Sequence, residues 1–148
     1  MRRLVFLLTT AGGLLLVGCG VGGEQSVDRT RYFRFLHTSD STTFVAGTSE
    51  EAVLEDVEQQ LHRPLEERTT FIAGPIAAGN GGHNGNYPWH FVVGEWTLTE
   101  VATEVCDASP SYVSDNVSYF VEEVGRYCPW GARVLEEVPE PGEGPTPQ

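Results

Sequence analysis

The amino-acid sequence predicts an α+β domain, with two amphipathic helices packed on one face of an antiparallel sheet in the order ββαβββαβ. Three observations support this fold class. Short runs of aromatic and β-branched residues are typical of strands, and two longer segments carry apolar residues at helical spacing. The connections between most strands are short, which favours antiparallel pairing. The chain has 148 residues, enough for one domain, which we assign to residues 31–138.

The first half of the domain is predicted to form a hairpin followed by a helix. Residues 32–36 and 42–46 are strand-like and are separated by a short polar turn. The first helix is expected to open at Thr48, because Thr48 and Glu51 have the spacing of a capping box, and to stop before Pro64. Its apolar face would consist of Val53, Leu54, Val57 and Leu61.

Three further strands are predicted before the second helix. They cover residues 69–76, 89–93 and 96–105. In the third of these, Thr and Val alternate with Glu, which predicts one buried and one solvated face.

The second helix is predicted over residues 110–124. Ser109 is a suitable N-cap, Pro110 suits the first helical position, and Gly125 suits the C-terminal end. The apolar positions at helical spacing are Val113, Val117, Phe120, Val121 and Val124. A last strand follows over residues 132–138.

The N-terminal segment predicts a lipid-anchored, exported protein. Arg2 and Arg3 precede an apolar run that is too short to span a membrane, so residues 1–18 are interpreted as a signal peptide. The run ends in Leu16-Val17-Gly18-Cys19, which resembles the lipobox of bacterial lipoproteins. This resemblance implies lipidation of Cys19. Gly20, rather than Asp, after the cysteine favours the outer membrane of the bacterial cell envelope, facing the periplasm or the cell surface.

Flexible segments are expected on both sides of the domain. Residues 19–30 are rich in Gly and polar side chains and predict a tether. Residues 139–148 combine Pro, Gly and Glu without apolar side chains, which predicts a disordered acidic tail.

Net charge excludes nucleic acid as a partner. The formal charge is −12, and removal of Arg2 and Arg3 with the signal would change it to −14. Such a chain repels phosphate backbones. The bilayer is therefore expected to be contacted through acylated Cys19, with an unidentified protein or small ligand as the other partner.

Cys106 and Cys128 are expected to form a disulfide, because an even pair in an exported chain is normally bridged. A helix over residues 110–124 would be roughly 22 Å long, whereas bridged Cα atoms must approach within about 7 Å. Either the flanking segments fold back along the helix, or the helix is shorter than its apolar pattern indicates.

The loop over residues 80–90 is the most unusual stretch, with two histidines among Gly and Asn. The simplest interpretation is a flexible, solvated loop. Candidate ligand-binding residues are His83, Trp89, His90, Asp107 and Trp130. No metal site is predicted, because zinc needs about four ligands and this loop offers two histidines. Neither catalytic residues nor a cofactor are assigned.

Several motifs resemble a family of small domains related to a calmodulin-binding protein. They are Pro88-Trp89-x-Phe91, Glu104-Val105-Cys106-Asp107-Ala108-Ser109 with Tyr112-Val113, and Cys128-Pro129-Trp130-x-x-Arg133; the strands at Tyr32-Phe33 and Phe44-Val45 also fit. The resemblance covers residues 32–138 and implies the fold. This chain has Val92 where the family often has His after the Phe, which argues against a shared histidine chemistry.

Calmodulin binding is not expected, despite the family's name. Calmodulin grips basic amphipathic helices, whereas both predicted helices are acidic and the second carries Asp115, Glu122 and Glu123. The leading hypothesis is a non-enzymatic, membrane-anchored binding module. The alternatives are a small hydrolase or metal-dependent enzyme that uses the His83–His90 loop, and an inhibitor of secreted proteases.

Overall fold

The computed structural model describes residues 29–142. The predicted signal peptide (residues 1–18), the lipidation site Cys19 and most of the tether lie outside the described residues, as does the end of the acidic tail, residues 143–148.

Within the described range the chain alternates short strands and helices. In chain order these are β1 (Arg31–His37), β2 (Thr42–Thr48), α1 (Glu51–Leu61), β3 (Phe71–Ala73), β4 (Ile76–Ala78), β5 (Trp89–Phe91), β6 (Thr97–Thr99), α2 (Pro110–Asp115) and β7 (Ala132–Val138). Two 3-10 turns (Leu65–Glu67 and Glu104–Cys106) and a π-helical segment (Tyr119–Val124) complete the described part.

All strand pairings are antiparallel, and they are distributed over three small sheets in the described part of the chain. One sheet has the order β2-β1-β7, and the other two are the pairs β3-β6 and β4-β5. The broad prediction of an α+β domain with antiparallel pairing is confirmed. The prediction of one continuous sheet is wrong.

The predicted strand over residues 69–76 is divided at Gly74 and Pro75. Proline cannot donate to a ladder, and Gly74 instead forms an isolated bridge with Tyr127. The backbone of Trp96 approaches Gly74 so closely that an added Cβ would lie 2.7 Å from the Trp96 Cα. The chain therefore changes partner here, and β3 and β4 join different sheets.

The predicted strand over residues 96–105 ends at Thr99. The Thr99 hydroxyl accepts a hydrogen bond from the Val101 N–H at 3.2 Å and lies 3.0 Å from the Val101 carbonyl, to which it donates. Such local bonds compete with a sheet ladder. As a result Val101 and Val105, assigned to the buried face by their alternation, are 81% and 57% exposed.

The first helix begins two residues later than predicted, with Glu50 rather than Thr48 at the N-cap. Thr48 is the last residue of β2, and its hydroxyl accepts from the Glu50 N–H at 3.1 Å instead of forming a capping box with Glu51. The helix packs against β6 and β7. Val53 and Val57 are buried on its inner side, as their spacing predicts.

The second helix is not continuous over residues 110–124. Its predicted N-cap is correct, since the Ser109 hydroxyl accepts from the Tyr112 N–H at 3.3 Å. The α-helix stops at Asp115, because Asn116 adopts φ −133° and its side chain donates to the Tyr112 carbonyl. A π-helical segment follows and ends at Gly125, whose φ of +72° is left-handed.

A cluster of aromatic rings forms the centre of the core. Trp89 is fully buried, and its ring contacts those of Phe44, Tyr87, Phe91 and Tyr127 at centroid distances of 5.0–6.0 Å. The cluster joins β2 and β5 to the segment that follows α2. It therefore sets the position of the loop before Trp89, which carries the candidate histidines.

Candidate functional site

The loop over residues 80–90 is largely exposed, as its composition predicts, but it is anchored to the sheet through one buried side chain. Asn84 is 2% exposed. Its side-chain oxygen accepts from the Val45 N–H at 3.1 Å, and its amide nitrogen donates to the Trp89 carbonyl at 2.8 Å. One buried side chain thus joins the edge strand β2 to the start of β5.

His83 and His90 lie together within this loop. Their rings meet edge to face, with centroids 5.5 Å apart, and the His83 ring also contacts Tyr32 at 5.4 Å. Gly81 lies against both imidazoles and has a left-handed φ of +61°. A Cβ at this position would lie 2.5 Å from the His90 ring and 2.9 Å from that of His83, so only glycine fits here without a shift.

The histidine pair is held by main-chain carbonyls. His83 Nδ1 lies 3.0 Å from the Gly81 oxygen, and His90 Nδ1 lies 2.7 Å from the Gly79 oxygen. His83 Nε2 is buried and has no partner in the described range. Burial lowers the pKa of His83, and the neighbouring His90 lowers it further, whereas the Gly81 carbonyl opposes the change. The lowered pKa favours the neutral form of the His83 ring.

Trp89, another candidate, belongs to the core. It is 0% exposed, and its Nε1 donates to the Pro110 carbonyl at 3.3 Å and to the Ser114 hydroxyl at 3.2 Å. A fully enclosed and satisfied indole has no surface for a ligand.

The remaining two candidates, Asp107 and Trp130, lie together at the disulfide. Asp107 Oδ1 accepts a hydrogen bond from the Trp130 N–H at 2.9 Å. Cys106 and Cys128, each two residues or fewer from this contact, are joined in a disulfide with Cα atoms 5.2 Å apart. The short α-helix removes the length conflict raised by the sequence. The bridge and the Asp107 carboxylate thus fix the position of Trp130.

Trp130 lines an open groove of about 310 Å³, which we call the Trp130 groove. Its walls consist of Thr69, Phe71, Glu100, Val101, Ala102, Trp130 and Arg133. Trp130 is 36% exposed, and Phe71 is buried. The groove thus combines an aromatic surface with one cationic and one anionic side chain.

Two polar side chains of this groove retain free hydrogen-bonding capacity. Arg133 donates from Nη1 to the Trp130 and Ala132 carbonyls, while its Nε and Nη2 have no partner in the described part of the chain. Burial lowers the pKa of Arg133, although a guanidinium stays charged. Glu100 accepts from the Thr69 hydroxyl at 2.8 Å through Oε1, which leaves Oε2 available.

The candidate residues therefore form two separate groups. No hydrogen bond among the described residues joins Asp107 to either His83 or His90. Between residues 29 and 142 no three His, Cys, Asp or Glu side chains converge as metal ligands. Nor does any described helix have the length and apolarity needed to cross a membrane.

Sequence reasoning missed two features of these regions. The sequence places Arg133 only within a motif, although the residue lines the groove. The second feature is the His37–Asp40 pair in the β1–β2 turn, with Nδ1 and Oδ1 2.8 Å apart. Asp40 also accepts from the Thr42 N–H and hydroxyl, so the pair organises the hairpin turn. The i, i+3 spacing of His37 and Asp40 across the predicted turn is the sequence pattern that could have indicated this pair.

Comparison with known proteins gives this small disulfide-containing α+β domain its class. Residues 29–141 match the family model of the BP-74 N-terminal domain. The match spans most of the chain, so the chain belongs to this domain family, and the resemblance to a calmodulin-binding-protein-related domain is confirmed. Neither the curated proteins nor the solved structures gave a significant match.

Proposed function

We propose that this protein is a lipid-anchored lipoprotein of the bacterial cell envelope, whose domain is a non-enzymatic binding module with the Trp130 groove as its binding surface. The anchor rests on the signal-like start and on Leu16-Val17-Gly18-Cys19. Several acyl chains on one cysteine would hold the protein stably at a bilayer. The outer membrane is the proposed location, on the basis of Gly20.

One observation carries the binding role, namely the different exposure of the three tryptophans. Trp89 and Trp96 are 0% and 1% exposed, whereas Trp130 is 36% exposed beside unsatisfied Arg133 nitrogens. Trp, Tyr and Arg are the residue types most enriched at binding hot spots of protein interfaces. The backbone of Trp130 is also held in place, by Asp107 and by the disulfide next to it.

The histidine pair supports catalysis less well than the groove supports binding. Each imidazole uses Nδ1 on a main-chain carbonyl, and His83 Nε2 is enclosed. A general base must reach a substrate proton within hydrogen-bonding distance, which the buried Nε2 of His83 does not do. The bonds and packing around both rings fit a role in holding the loop.

Site-specific photo-cross-linking in intact cells tests the binding role. A benzoylphenylalanine at position 101 replaces an 81% exposed valine on the groove wall. We expect a discrete adduct from this position, detected as a mass increase on the purified full chain. The same group at position 93, a 40% exposed valine that does not line the groove, is the matched control and should give none.

The decisive comparison adds Trp130→Ala to the position-101 protein. Loss of the adduct, with an unchanged melting temperature, supports binding in the groove. An adduct that persists in Trp130→Ala, or no adduct from position 101, contradicts the proposed function.

A further inference from the structure

We infer that the Trp130 groove binds a neutral, hydroxyl-rich ligand, namely a segment of an uncharged oligosaccharide. This inference rests on the proposed function and assigns a ligand class to the same surface. It follows from three properties of the groove: an exposed indole, a donor and an acceptor with free capacity, and a balance of charge.

The exposed indole supplies a flat apolar surface. Trp130 and the largely buried Phe71 both line the groove. The C–H face of a pyranose ring is apolar and of similar extent to an indole, so it can displace water from this wall at little cost in polar contacts. The Trp130 N–H donates to Asp107, so the backbone that carries the indole is held at the groove.

The polar groups of the groove require a ligand that both donates and accepts hydrogen bonds. Arg133 offers Nε and Nη2 and can only donate. Glu100 offers Oε2 and, when ionised, can only accept. A hydroxyl group does both. A sugar ring with several hydroxyls can therefore satisfy Arg133 and Glu100 together.

The balance of charge on the groove walls favours an uncharged ligand. The groove walls carry one cation, Arg133, and one anion, Glu100. An acidic ligand would meet Glu100 and a chain of formal charge −12. A basic ligand would be attracted by the net negative charge of the chain but would meet Arg133, which has no carboxylate partner in the described range. An uncharged ligand avoids both penalties.

Intrinsic fluorescence is the readout, since Trp130 is the exposed one of the three tryptophans. Full chain is purified in a detergent without a sugar headgroup and titrated with chitotriose, cellotriose or an acidic Gly-Glu-Glu peptide up to about 10 mM, a range that covers weak binding. We expect a saturable change in tryptophan fluorescence with at least one trisaccharide and no change with the peptide.

Variants separate stacking from polar recognition. Saturation-transfer NMR, which does not depend on tryptophan, should show binding weakened about tenfold or more in Trp130→Ala and in Arg133→Met. Trp130→Phe should keep part of the affinity. Tyr112→Ala, which removes a 54% exposed aromatic outside the groove, is the control and should bind like the wild type.

The outcomes distinguish this inference from the proposed function. Failure of both trisaccharides, preferential binding of the peptide, or binding unaffected by Trp130→Ala and Arg133→Met overturns the oligosaccharide assignment. If the Trp130-dependent adduct at position 101 nevertheless forms in cells, the groove still binds a ligand and only its class is wrong. If the adduct is absent too, both proposals fall.

Discussion

Replacing Asn84 with Ala is expected to destabilise the protein by about 2–4 kcal/mol, because two backbone groups lose their partner in one substitution. The Val45 N–H belongs to the edge strand β2, and the Trp89 carbonyl begins β5. Asn84 is 2% exposed, so water does not replace either bond without a local opening.

The matched control for Asn84 lies two residues away. Asn86 is exposed in the same loop, and Asn86→Ala should change the free energy of unfolding by less than about 0.5 kcal/mol. Asn84→Asp keeps an acceptor for the Val45 N–H but turns a carboxylate oxygen toward the Trp89 carbonyl, so it should also destabilise. Urea denaturation measures the free energy of unfolding of the three variants. Equal stability of Asn84→Ala and Asn86→Ala would show that the loop is not anchored through Asn84.

Removing the disulfide is expected to lower stability by about 3 kcal/mol, the chain-entropy value for a loop of this size. Cys106 and Cys128 are 22 residues apart in sequence, and both are fully buried with Phe71 and Ala73. The Cys128 N–H also donates to the Cys106 carbonyl at 2.8 Å, so the bridge reinforces a backbone contact.

The double variant Cys106→Ala, Cys128→Ala tests this expectation against the wild type, with and without dithiothreitol. The reductant should lower the denaturation midpoint of the wild type and leave that of the variant unchanged. Trp130 fluorescence should shift toward the solvent-exposed value in the reduced protein, because Asp107 and Trp130 are adjacent to the bridge. A midpoint that reductant does not move in the wild type would refute a stabilising disulfide.

Local sequence patterns predicted individual strands and helix ends better than they predicted how these elements pair and where they break. The last strand, the Ser109 cap and the Gly125 stop depend on adjacent residues, and the structure matches each of them. The break at Asn116 arises because the Asn116 and Ser114 side chains bond to the preceding turn of backbone. The apolar spacing of residues 110–124 does not indicate that these side chains compete for backbone hydrogen bonds.

The candidate site was harder to predict, because its contacts are distant in sequence. Asn84 is one of three asparagines in its loop, and nothing in the local sequence distinguishes it from Asn80 and Asn86. Its partner Val45 lies 39 residues away. Trp89 and Trp130 are the same residue type, and tertiary packing alone makes one a core residue and the other a groove wall. Arg133 joins that wall through the position of β7 relative to β3.

The central claim is that a binding domain is held at a membrane through Cys19, and the mass and location of the full chain test it most directly. Cells expressing the wild type, Cys19→Ala or the control Gly22→Ala are fractionated, and the N-terminal peptide is analysed by mass spectrometry. The account predicts an acylated Cys19 in the membrane fraction for the wild type and Gly22→Ala, and unacylated soluble protein for Cys19→Ala. An unmodified Cys19, with the same distribution for all three proteins, would contradict it.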